Sequence, residues 1–248
     1  MNADLTGKVV AVTGASSGIG EAIAVACAGS GADIAICGRR TDRLAAVAAR
    51  IRALGKNVFT ATADVGDETQ ANAFVTEAAA ALGRLDVLVN NAGVMKLGAI
   101  DGAPTAEWRD MVHVNVFGVL YCTHAALPLM RAQGGGHIVN VSSVGGRVVG
   151  HYSGVYSLTK FGIGAFSEAL RRETKDAGIR VTLVEPGSVA TELRSHTRPE
   201  VLEEILPGFA GVTPLQPDDV AAAVLYALGQ PANVSVSEVL VRPATQQM

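Results

Sequence analysis

The stretch KVVAVTGASSGIGEAIAVACAGSGADIAICGRR, residues 8–40, decides the fold. Its first six residues are rich in Val, its middle has helical spacing from Ile19 to Ser30, and DIAICG at 33–38 reads as a second strand. Strand, helix and strand in that order form a right-handed βαβ unit with parallel strands. Between the first strand and the helix stands Thr13-Gly14-Ala15-Ser16-Ser17-Gly18-Ile19-Gly20. Glycines at such a junction allow a tight turn, and they let backbone N–H groups at the helix N-terminus approach a pyrophosphate.

Outward from this unit the alternation continues. NVFTATAD (57–64) is followed by a helical pattern over 68–82, LDVLVNNAG (85–93) by one over 105–131, and HIVNVSS (137–143) by one over 156–176. IRVTLVEPG (179–187), a helix over 217–228 and VSEVLVRP (236–243) complete the series. The strands carry consecutive Val, Ile and Leu, which suits a parallel sheet covered on both faces. The expectation is therefore an α/β, doubly wound, seven-stranded parallel sheet with helices on both faces. It is a single domain over 1–248, with a substrate-loop insertion at about 190–212. In such a sheet ligands lie outside the carboxyl ends of the strands.

The 248 residues are 49% hydrophobic and 17% charged, enough for a sizeable buried core. A net charge of −3 without a long basic run points to neither nucleic acid nor an anionic membrane surface as a partner. The N-terminal residues lack a basic region followed by an apolar one, and no stretch approaches about 18 uninterrupted apolar residues, so a soluble, cytoplasmic protein is expected. Cys27, Cys37 and Cys122 each sit in an apolar run and read as small buried hydrophobes. The five histidines show no metal-ligand spacing, and no metal is expected.

Two local signals carry chemistry. The second strand ends in Cys37-Gly38-Arg39-Arg40. A dinucleotide with a free ribose 2′-OH favours an acidic residue there, whereas a 2′-phosphate needs that carboxylate absent and an Arg near. Gly38 and Arg39 meet the second description, so NADP(H) is expected over NAD(H); Arg40 fits either a second phosphate contact or a solvated residue. Farther on, Tyr156 and Lys160 are four apart on one helix face. A phenol titrates near 10, and bringing it to about 7 takes roughly 4 kcal/mol, the order of energy one ammonium about 4 Å away offers at an effective dielectric of about 20. A Tyr and a Lys at this spacing also occur by chance, so context decides.

That context is the glycine turn, Asn90-Asn91-Ala92-Gly93 after the fourth strand, Asn115, Ser143 after the fifth, and Tyr156 with Lys160, all in one order and spacing. With these motifs the chain resembles the single-domain short-chain dehydrogenase/reductase family, of Rossmann type, over essentially its whole length. TELRSH, the helix from Tyr156 and the ending SEVLVRPATQ are similar to the clavulanate dehydrogenase subgroup and related carbonyl reductases. The resemblance implies that Ser143 hydrogen-bonds a substrate carbonyl while Tyr156 gives it a proton, that Lys160 holds the nicotinamide ribose and depresses the Tyr156 pKa, and that Asn115 holds a water linking Lys160 to solvent. It implies cofactor contacts from Gly14, Ser16, Ser17, Gly18, Ile19 and Gly20, and from Gly38, Arg39 and Arg40. Asp64 and Val65 would meet adenine, Asn91, Ala92 and Gly93 the adenosine ribose, and Pro186, Gly187, Val189 and Thr191 the nicotinamide. It also implies a homodimer or homotetramer.

The substrate side is less determined. Residues 94–97, 145–154 and 192–209 are the candidate walls. Val201, Leu202, Ile205 and Leu206 have helical spacing, which suits either a lid or a helix covering core. Val148, Val149 and Tyr152 suggest a partly apolar pocket for an aldehyde or ketone, His151 reads as an exposed loop residue, and Arg147 and Arg194 are the cations able to reach inward. A non-catalytic dinucleotide-binding sensor is the alternative from another class; the joint presence of Ser143, Tyr156, Lys160 and Asn115 argues against it.

Overall fold

The apolar strand runs bury both of their faces. The computed structural model describes residues 3–246. In β1 (Val9–Thr13) every residue is buried, and in β2 (Asp33–Gly38) all but the first. Successive side chains go to opposite sides: Val10, Val12, Ile34 and Ile36 enter one core, Ala11, Ala35 and Cys37 the other. With β3 (Val58–Thr62), β4 (Val87–Asn90), β5 (Gly136–Val141), β6 (Ile179–Pro186) and β7 (Glu238–Val241) they form a parallel sheet of order β3-β2-β1-β4-β5-β6-β7. The strand order reverses between β1 and β4, so the crevice at their carboxyl ends is the expected ligand position.

The first face is covered by α1 (Gly18–Gly29), α2 (Thr41–Ala53) and α8 (Pro217–Leu228). The second is covered by α3 (Glu68–Leu82), α5 (Gly118–Ala132) and α6 (Gly154–Thr174). The expected single doubly wound domain is what forms. The helix expected over 105–131 is three pieces run together: α4 (Thr105–Val112), one π turn (His113–Phe117) and α5. Within Thr105–Ala132 an 18-residue window has a mean hydropathy of 1.3, long and apolar enough by composition alone to cross a membrane, although His113, Asn115, Thr123 and His124 interrupt the apolar run. Here Cys122, Ala126 and Met130 bury against the sheet. Past the sixth strand, the 190–212 stretch holds a 3₁₀ turn (Glu192–His196), the short helix α7 (Pro199–Ile205) and a second 3₁₀ turn.

Buried polar groups lock the sheet beneath the crevice. Asn90 Nδ2 donates to Thr123 Oγ1 (3.0 Å) and Asn140 Oδ1 (2.8 Å), and Asn140 Nδ2 donates to Ser167 Oγ (2.8 Å), joining β4 and β5 to α5 and α6. The three cysteines are buried free thiols; burial pushes Cys27 and Cys122 up to about 12.

His137 on β5 gives the fold an acid-sensitive point. Thr182 Oγ1 spends its proton on Val236 O (2.6 Å), so it accepts from His137 Nε2–H at 2.7 Å, while Nδ1 has no partner. Burial, with Arg180 beside it, lowers the imidazole to about 3. The unfolded chain's imidazole takes a proton near 6.5. Stability from the neutral ring is thus fully present above 6.5 and lost as pH falls toward 3. Between pH 7.5 and 4.5 this one group should cost about 2 to 3 kcal/mol. Urea unfolding at both pH values checks it: His137→Gln, less stable at pH 7.5, should lose less on acidification than the unaltered chain, and equal losses would remove His137 as the cause.

Candidate active site

Two loops interlock at the carboxyl ends of β1 and β4. Gly14 has φ +65°, and a Cβ there would lie 2.7 Å from Ala92 Cα. Thr13 Oγ1 accepts from the Asn91 and Ala92 N–H groups at 3.0 Å each, and Asn91 Nδ2 donates to Thr13 O at 2.9 Å. A Cβ on Gly20, one turn into α1, would meet Asn91 Nδ2 at 2.4 Å. Backbone sits against backbone here, which the glycines permit and a side chain forbids.

The cleft that results has a volume of about 340 Å³. Its floor is Gly14, Ser16, Ser17, Gly18 and Ile19, at the N-terminus of α1. Gly38, Arg39, Arg40, Asp64 and Val65 line one end; Asn91, Ala92 and Gly93 line the middle; Tyr156, Lys160 and Thr191 line the other end. Gly20, Pro186, Gly187 and Val189 stand behind this lining. Gly187 N–H donates to Val241 O at 2.7 Å and its Cα faces the C-terminal segment, while Val189 pairs with Leu215 and packs on the core.

Arg39 and Arg40 are not equivalent. Arg39 is turned outward, 62% exposed, with its nearest carboxylate contact at Asp64, 3.9 Å away. Arg40 Nε and Nη2 donate to Ser16 Oγ (3.2 and 3.0 Å), and Nη2 donates to Ser17 Oγ at 2.6 Å. Gly38 brings no carboxylate of its own to the strand end, and Ser16 Oγ lies 3.3 Å from where its Cβ would be. The residue that the strand end first suggested is therefore the less engaged of the two; the start of α2 directs the second arginine inward.

At the far end, Tyr156 stands in the first turn of α6 beside Ser143, which precedes a 3₁₀ turn after β5. The Ser143 hydroxyl is oriented by Gly145 N–H at 3.0 Å, and a Cβ on Gly145 would lie 3.2 Å from Tyr156 Cε1. Lys160 Nζ donates to Val141 O at 3.0 Å and lies 5.8 Å from the centre of the Tyr156 ring. Burial raises the Tyr156 pKa, against a smaller lowering by Ser143, and burial lowers Lys160 to about 8. The expected depression of the phenol by Lys160 is not seen: burial raises its pKa and outweighs the lowering by Ser143.

Asn115 lies in the π turn, a local widening frequent at functional sites. Its side chain makes three hydrogen bonds: Oδ1 accepts from Val94 N–H (2.8 Å), and Nδ2 donates to Val94 O (2.9 Å) and Thr159 Oγ1 (3.2 Å). Thr159 Oγ1 in turn donates to Tyr156 O at 2.7 Å. Asn115 thereby ties the loop after β4 to the first turn of α6. Thr13 and Thr159 were not legible as site residues, since their hydroxyls act on backbone groups brought near by the fold.

Beyond Tyr156 lies an apolar cluster of Val94, Leu97, Met111 and Val201, flanked by Met95, Val155 and Ile205. Val149, expected in this wall, is instead 66% exposed. Val201 and Ile205 belong to α7, so this helix covers the site rather than the sheet. It is held by Thr197 Oγ1, which accepts from Leu97 N–H and donates to Met95 O, and by Tyr152, whose hydroxyl donates to Glu204 at 2.5 Å. Tyr152 has φ +62°, an uncommon conformation for a residue with a side chain. The arginines able to reach inward are engaged: Arg147 with Glu185 and Glu238, Arg194 with Ser188 Oγ (2.6 Å).

A family profile described as short chain dehydrogenase matches residues 8–202. The chain belongs to that family. Among curated relatives, an oxidoreductase of Staphylococcus saprophyticus is 38% identical over 97% of this chain and 98% of its own. The glycine betaine reductase of Emericella nidulans is 41% identical over 96% of this chain, which spans only 19% of that protein's length. Among solved structures, an alcohol dehydrogenase from the archaeon Thermococcus sibiricus, complexed with 5-hydroxy-NADP, superposes with a TM-score of 0.86 at 30% identity, covering 97% of this chain and 98% of that one.

Proposed function

We propose that this short-chain dehydrogenase is an NADP(H)-dependent reductase of uncharged aldehydes and ketones, reversible to alcohol oxidation. The observation that carries the reading is Tyr156 and Ser143 side by side at Gly145, in the same cleft as Arg40 braced by Ser16 and Ser17. The glycine cradle, with no room for a side chain at Gly14, fits a pyrophosphate on the N–H groups that open α1. The 5-hydroxy-NADP bound to the Thermococcus enzyme supports NADP(H) as the cofactor here.

Bound NADPH supplies hydride to the carbonyl carbon. The chain does the rest: Ser143 orients the carbonyl oxygen, Tyr156 gives it a proton, and Lys160 holds the nicotinamide ribose. A raised pKa keeps the phenol protonated at neutral pH, which is the form reduction needs. Asn115 positions Val94 and Tyr156 through its side chain, and it holds the water that links Lys160 to solvent. Residues 190–212 form the substrate cover, with α7 moving to admit the ligand.

The substrate class follows from the wall. The apolar cluster offers no charge, and Lys96 and Arg198 nearby are paired with Asp110 and with Glu107 and Glu200. Purified protein should oxidise NADPH with uncharged ketones, with kcat/KM at least about tenfold above that for carboxylate-bearing analogues. Tight NADPH binding without turnover across the panel would favour the sensor reading, and preference for the carboxylates would discard the neutral-substrate assignment. The same reading gives a cytoplasmic homodimer or homotetramer; Leu158, Phe161, Ala165 and Ala169 on α6 are exposed rather than packed on the sheet, leaving a face for a second copy.

A further inference from the structure

The arginines at the adenosine end of the cleft are already holding an anion of the chain's own. Glu192, which opens the 3₁₀ turn after Thr191, sets Oε2 2.7 Å from Arg40 Nη1 and Oε1 2.7 Å from Arg43 Nη1. Arg40 is the side chain that Ser16 and Ser17 orient toward the glycine turn. One carboxylate thus satisfies two guanidinium groups from α2 and its N-terminal junction, although some 150 positions separate it from them in the chain. The two arginines hold the Glu192 carboxyl down at about 2, so it carries a full negative charge at neutral pH. Glu192, Arg40, Ser16 and Ser17 line the same cleft as Lys160 and Tyr156.

A phosphate monoester carries more charge than a carboxylate and three acceptor oxygens, and it seeks the same donors. Resting on the NADP(H) reading above, we propose that Glu192 is an internal competitor for the cofactor's 2′-phosphate, occupying Arg40 and Arg43 until a 2′-phosphorylated nucleotide takes them. Discrimination between NADP(H) and NAD(H) is then set by the difference between phosphate and Glu192 at these arginines, and is smaller than the arginines alone would give. A nucleotide without the 2′-phosphate leaves Glu192 in place. The contact also matters to the substrate side, because the segment released at Glu192 runs on through Thr197 to α7, the helix over Tyr156. Exchange at the arginines therefore frees one end of the cover only when the phosphorylated cofactor is bound.

The test is calorimetric titration of the full chain with adenosine 2′,5′-bisphosphate and with 5′-AMP, which differ by the 2′-phosphate alone. Glu192→Gln keeps the size and the partly exposed position while removing the charge. It should tighten the bisphosphate by roughly 5- to 50-fold and change 5′-AMP by less than about twofold. Adding Arg43→Gln should take back part of that gain. An unchanged or weaker bisphosphate affinity in Glu192→Gln, or an equal gain for both nucleotides, overturns the competition and leaves the cofactor reading standing. No preference for the bisphosphate in either the unaltered chain or Glu192→Gln overturns both.

Discussion

Tyr156→Phe should lower kcat for NADPH-dependent ketone reduction by about 10²- to 10⁴-fold, the usual contribution of a positioned general acid, while NADPH affinity stays within about twofold. The substitution removes one oxygen from a side chain that is otherwise buried against Gly145 and the apolar cluster, so packing survives. Ser143 keeps its bond from Gly145 N–H, and Lys160 keeps its bond to Val141 O, so the groups around the missing hydroxyl have no reason to move. The loss should therefore fall on kcat with little change in cofactor binding, which single-turnover kinetics and a fluorescence titration of NADPH measure separately. Activity above a tenth of the unaltered enzyme would mean that another group delivers the proton. His151 is no ready substitute: it is exposed, its ring lying against that of Tyr152.

What the sequence discloses and what it withholds divide along one physical line. Strands β1 and β2 are legible because a two-sided sheet demands consecutive apolar residues, and the glycine turn because a backbone against a backbone demands the absence of a Cβ. Tyr156 and Lys160 are legible because one helix turn separates them. Each of these is fixed within a few residues along the chain. Where a role depends on what folding brings across the sheet, the signal fades. Nothing local distinguishes Arg39 from its neighbour; the direction of each is settled by where α2 starts and by Ser16 and Ser17 on a different loop. Glu192 reads as an ordinary surface acid until topology sets it beside α2. The π turn at Asn115 leaves the apolar spacing of 105–131 nearly unaltered, so a continuous helix is the natural reading. The cover helix α7 showed its periodicity, but only the contact of Val201 with the Tyr156 cluster tells which surface it protects.

The second large effect belongs to the scaffold. Gly14→Ala should destabilise the chain by about 2 to 5 kcal/mol and weaken NADPH binding at least about tenfold, because two costs coincide at one atom. At φ +65° an added Cβ meets the following carbonyl, and the same Cβ lies 2.7 Å from Ala92 Cα and 3.1 Å from Ala92 N. Neither neighbour is a flexible side-chain end. Relief requires moving the glycine turn or the Asn91–Gly93 loop, and Thr13 and Asn91 hydrogen bonds couple the two, so displacement of either disturbs both walls of the cleft. Gly29→Ala at the end of α1 is the matched control: no heavy atom lies within 4 Å of its added Cβ, and stability there should hold or rise by a few tenths of a kcal/mol. Urea midpoints and NADPH titrations of the two variants make the comparison. Gly14→Ala with the stability and affinity of the control would mean that the turn yields without strain, and that the interlocked loops do not hold the cleft in shape.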